Sequence, residues 1–166
     1  RAAFVPLPAA PFDACVKRST AADSLSLVRF DDNDYSVPVR YAHHPVVVRE
    51  DVDRVVLCHK GEVIAEHRRR WGREGVSFDP VHYLALLERK PGALDFARPL
   101  EGWQLPDCFG VLRRRLEGEL QGQGTREFIK VLRLLEGAAV PQLAQAIEQA
   151  LAIGATGAAA RVYGRA

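Results

Sequence analysis

Residues 46–71, VVVREDVDRVVLCHKGEVIAEHRRRW, constrain this chain more than any other stretch. Val46, Val47 and Val48 form a β-branched run, Asp53 to Cys58 a second extended segment, and Glu62 to Arg68 a third. Branched side chains favour the pleated backbone over the helix. Lys60-Gly61 separates the last two segments, and Gly61 accepts the positive φ that a tight hairpin demands. The third segment ends in His67-Arg68-Arg69-Arg70, closed by Trp71. A small sheet thus delivers positive charge and an aromatic ring to one rim.

Around this stretch the β pattern continues. Cys15 to Thr20 and Leu25 to Phe30 read as strands. The cluster Asp31-Asp32-Asn33-Asp34 reads as a turn, because Asp and Asn bond their own backbone and tolerate left-handed φ. Tyr35 to Val39 is a short strand that Pro38 confines to an edge or ends. Short strands at close spacing predict a small barrel or sandwich over 15–71, and a barrel, which leaves no open edges, is the expectation. Ahead of it, Pro6, Pro8 and Pro11 make residues 1–14 an extended arm or linker.

After Trp71 the period changes. Residues 72–78 read as a linker. Asp79-Pro80 starts a helix that Lys90-Pro91-Gly92 stops. Pro106 to Gln121 carries Phe109, Leu112, Leu116 and Leu120 at helical spacing. Thr125 is placed to cap a third helix with Phe128, Ile129, Leu132 and Leu135, which Gly137 ends. Val140 to Ile153 forms a fourth, and Thr156 caps a last turn through Tyr163. The fold class is therefore β + α: an N-terminal barrel, then a helical bundle over 79–166.

Charge is local. The 166-residue chain has a net charge of only +2. Residues 54–73 hold six cations against two acids, a net of +4. Arg68, Arg69 and Arg70, with Lys17, Arg18, Arg40 and Arg49 on other strands, are candidates to follow a phosphate backbone. Arg126, Lys130 and Arg133 align at i, i+4 and i+7 on a helix and are candidates to meet a protein partner. The bland alternative for each group is a solvated face interspersed with acids.

Other chemistry is weakly supported. Neither adjacent pair, His43-His44 or Cys58-His59, forms a chelate on a strand, where neighbours point to opposite faces. No C-x-x-C, G-x-S-x-G or phosphate-loop spacing occurs. Three scattered cysteines argue against a disulfide framework and fit a reducing cytoplasm. No apolar run reaches the ~20 residues of a membrane span. The chain opens at Arg1 without Met, which suggests a piece of a longer protein.

Specific residues also carry a resemblance. LSLVRFDDNDYSVPVRY followed by the 46–71 stretch resembles the C-terminal β-barrel of Mu-type transposases. FDPVHYLALLERKPGALDFARPLEGWQLP and the later REFIKVLRLLE resemble the tail of IstA-type insertion-sequence transposases. The resemblance implies the non-catalytic C-terminal part of a DDE-type transposase. Its catalytic carboxylates and Mg2+ would lie in a separate core, so no residue here inherits a catalytic or metal role. The implied partners are double-stranded DNA at transposon ends, other transposase subunits and an AAA+ helper ATPase. The alternative is an interaction module that recruits the helper with little DNA contact.

Overall fold

The computed structural model describes residues 16–154, so the proline-rich arm, Cys15 and the expected Thr156 cap lie outside it. Seven strands precede four α-helices: β1 (Val16–Ala21), β2 (Leu27–Phe30), β3 (Asn33–Ser36), β4 (Pro45–Glu50), β5 (Arg54–His59), β6 (Glu62–Arg68) and β7 (Val76–Ser77), then α1 (Leu84–Arg89), α2 (Asp107–Leu120), α3 (Gly124–Arg133) and α4 (Val140–Ala152).

The strands form two sheets, not the single closed barrel expected. One is ordered β1-β4-β5-β6 with every neighbour antiparallel. The other is β2-β3-β7, in which β3 and β7 run parallel. The two sheets share one core built on Val28, Phe30, Tyr35, Val46, Val48, Val55 and Leu57.

Local sequence sets the turns. Lys60 and Gly61 both take positive φ, +50° and +88°, as a two-residue hairpin joining β5 to β6 requires. Asp31 and Asp32 do the same between β2 and β3. The turn is therefore shorter than the four-residue cluster expected, and Asn33 and Asp34 belong to the strand. β3 stops at Ser36, before Pro38, but it is flanked on both sides and is not an edge. The segment 72–78, expected as a plain linker, contributes β7; two residues are too few to show a period.

The helices share a second core around Leu84, Phe109, Leu112, Leu116, Ile129, Leu132 and Ile147. Trp103 packs against it from the 93–105 connection. Asp79 caps as expected, accepting from the Val81 amide at 2.9 Å, although the first turn is 3-10. Thr125 does not cap α3: its hydroxyl donates to the Glu117 carboxylate at 2.9 Å instead.

Buried polar groups join the two halves. Asn33 is fully buried. Its Nδ2 donates to the carbonyls of Asp31 at 2.8 Å and Gly72 at 2.6 Å, and at 3.4 Å to that of Arg70. Its Oδ1 accepts from the Gly75 amide at 3.0 Å. The buried Tyr35 hydroxyl accepts from the Arg70 amide at 3.0 Å. The next residue, Ser36, accepts from the Asp79 amide at 2.8 Å, and its hydroxyl hydrogen-bonds with His82 Nδ1 at 2.8 Å. His67 Nε2 donates to the Ser36 carbonyl at 2.6 Å, which leaves His67 Nδ1 as the acceptor facing the Ser77 hydroxyl at 3.4 Å.

Removing one partner from such a network leaves buried groups unsatisfied. Asn33→Ala is expected to lower unfolding free energy by about 3 kcal/mol, read by chemical denaturation. Burial first, then His67 and Arg40, pushes His82 down to about 4 against the opposing pull of Asp79. Burial also lowers His67. The His82 ring stays neutral in the folded state down to about pH 4, while in the unfolded chain it takes up a proton below pH 6.5. The His82 contribution is thus complete above pH 6.5 and lost as pH falls toward 4. Melts across this range should show stability falling, by on the order of 3 kcal/mol for His82. His82→Gln should flatten the profile, and an unchanged profile would contradict a neutral buried ring.

Candidate nucleic-acid interface

The register of the four-stranded sheet sorts the basic residues by face. Lys17, Arg49, Val56 and Glu66 lie in one cross-strand row, and Arg54 pairs with Arg68 in the next. These rows face outward, because the alternate row Arg18, Val48, Leu57 and Ala65 ends in buried apolar side chains. The outward face therefore gathers Lys17, Arg49, Arg54 and Arg68. Arg54 is committed to Asp51 at 3.0 Å and to Glu66 at 3.2 Å. Arg68 is exposed and, among the described residues, has no carboxylate partner.

Other candidates go elsewhere. Arg18 sits on the inward face at the open edge, its guanidinium 5.3 Å from the centroid of the Phe30 ring. Arg40 lies in a 3-10 turn over the Tyr41 ring at 5.0 Å. β6 ends at Arg68, so strand alternation does not carry on to Arg70. Arg70 is exposed just beyond the strand, its backbone held by Tyr35 and Asn33.

Arg69 is the main departure. Its side chain is only 11% exposed and bridges Glu50 at 2.6 Å and Asp31 at 3.1 Å. Its amide donates to the Asp53 carbonyl at 2.8 Å. Trp71 is 70% exposed, and its ring centroid lies 4.1 Å from the Arg69 guanidinium. Arg69 thus clamps the β2–β3 turn to the end of β4, with Trp71 as its outer cover.

The helical stripe is largely neutralised. Lys130 pairs with Glu127 at 2.6 Å, and Arg133 pairs with Glu88 and, at 3.0 Å, with Glu136. Arg126 is exposed with no such partner among the described residues. Sequence reasoning also passed over Arg98, exposed with its guanidinium 5.8 Å from the Phe78 ring. A lone arginine in an irregular segment gives no periodic signal.

Among the described residues, no three His, Cys, Asp or Glu side chains gather as a metal site. No described helix is long and apolar enough to cross a membrane. Cys58 and Cys108 are buried free thiols.

Comparison with known proteins places this geometry. A family described as Mu transposase, C-terminal domain, matches residues 7–79. The chain carries a Mu transposase C-terminal domain. Similarity to transposases runs well past that domain. A transposase of Aminobacter aminovorans is 38% identical over 130 residues, 75% of this chain and 25% of that protein. The transposases for insertion sequences IS1326/IS1353 of Pseudomonas aeruginosa and Shigella flexneri are each 36% identical over 147 residues, 82% of this chain and 28% of theirs. The matched stretch is thus about a quarter of each relative's length. No solved structure matches the chain. The resemblance to insertion-sequence transposases read from the residues holds.

Within this Mu transposase C-terminal domain the adjacent arginines have separable roles. Arg69→Ala should cost about 2 kcal/mol, because it leaves Glu50 and Asp31 without their cation. Arg68→Ala should change stability by less than about 0.5 kcal/mol. Paired denaturation curves decide this; equal effects would contradict the clamp.

Proposed function

We propose that this region binds duplex DNA at transposon ends through the outward face of the four-stranded sheet, and supports assembly of the synaptic complex. The observation that carries this reading is the exposed, uncompensated Arg68 on the same face as Lys17 and Arg49, within a transposase domain. Guanidinium and ammonium groups on an open sheet suit phosphate oxygens, and such contacts fix position without reading sequence. No bond-breaking step is assigned to this region. The chemistry of transposition, with its Mg2+, would belong to a DDE-type core of the parent protein.

Contacts with other transposase subunits and with an AAA+ helper ATPase would fall to the helical half. Internal pairing of Lys130 and Arg133 leaves that surface less charge to offer, which favours the sheet as the DNA-binding element. This role puts the chain in the bacterial cytoplasm, on the nucleoid when bound.

A salt titration of duplex binding tests the reading. The Lys17→Ala, Arg68→Ala double variant should weaken binding to all sequences about equally. The slope of log K against log salt should flatten by about 0.9 for each phosphate no longer neutralised, roughly 2 for the pair. An unchanged slope in a folded double variant would remove this face from the interface and turn attention to helper recruitment.

A further inference from the structure

Beyond the end of β6, a cleft of about 400 Å3 opens between the Arg70–Pro80 side and the 98–104 segment. Arg70 and Arg98 both line it, and so do Ser77, Phe78, Trp103 and Gln104. Arg70 is held in place from behind. The Tyr35 hydroxyl fixes its amide, and its guanidinium lies against the bare Cα of Gly75, where a Cβ would collide with it. Arg98 is steered by the Phe78 ring. Both arginines are exposed residues, and neither has an ion-pair partner among the described residues. Glu101 lines the same cleft but engages neither arginine.

Two uncompensated cations facing one cleft repel each other, and an anion between them removes that cost. Half-buried aromatic rings beside arginines form the surface on which single-stranded nucleic acid stacks. The cleft has the volume of a small-ligand site and is too small to admit a duplex. We propose that it seats one nucleotide of an unpaired DNA strand, with the phosphodiester between Arg70 and Arg98 and the base beside Phe78 and Trp103. This rests on the DNA-binding reading above and adds a strand-selective site, built partly by the helical half.

The experiment compares a blunt duplex with the same duplex bearing a short single-stranded tail, by fluorescence anisotropy on the full chain. The tail should tighten binding by about tenfold, in the range of stacking one base. Arg98→Gln should abolish that increment and leave blunt-duplex affinity within about twofold. For the tailed DNA its salt slope should fall by about 0.7, the value for one single-strand phosphate left unneutralised. Glu101→Gln should enlarge the increment, which keeps the test independent of any folding defect in Arg98→Gln. A wild-type chain that binds the duplex but gains nothing from the tail overturns this inference and leaves the duplex reading intact. An undiminished increment in Arg98→Gln does the same. A wild-type chain that binds neither DNA overturns both.

Discussion

The carboxamide of Asn33 holds together the part of the molecule on which everything else is hung. Its amide nitrogen and its oxygen both bond backbone groups, those of residues 31, 70, 72 and 75. A buried amide left unpaired is costly, so this arrangement is tightly specified. It turns the chain after β6 back across the β2–β3 hairpin, and β7 follows as a parallel neighbour of β3. Ion pairs of Arg29 with Asp34 and Glu74 reinforce the same crossing from outside. Arg70, Gly75 and the cleft beyond them occupy positions that this crossing dictates.

From the same strand, Ser36 reaches into the helical half through Asp79 and His82, and the Tyr83 hydroxyl returns to the Leu25 carbonyl at 3.0 Å. Polar contacts of fixed geometry therefore orient the helices on the sheets, while each half keeps its own apolar core. Apolar packing is non-directional and tolerates sliding; a chain of satisfied hydrogen bonds does not.

Three consecutive arginines meet three fates because the strand ends among them. Arg68 is the last residue to obey alternation and faces out. Arg69 turns into a pocket of acids, where two carboxylates neutralise it. Arg70 follows the crossing set by Asn33 and is delivered to the mouth of a different cleft. Equal formal charge in a sequence thus becomes an exposed cation, an internal clamp and a wall of a groove.

Much of the scaffold was legible from residue order, because it depends on short-range physics. Valine-rich runs, left-handed turns at Lys60-Gly61 and the Asp79-Pro80 helix start need only their neighbours, and the helical stripes follow from a 3.6-residue period. Family-specific strings such as Asn33 to Pro38 carried the transposase resemblance as well. What tertiary structure decided was every pairing between distant segments. Two sheets instead of a closed barrel, the brief β7 and the capture of Arg69 by Glu50 and Asp31 all depend on groups far apart in the chain. Charge and period are local properties of a sequence; which acid neutralises which base, and which arginines share a cleft, is settled only when the backbone crosses itself.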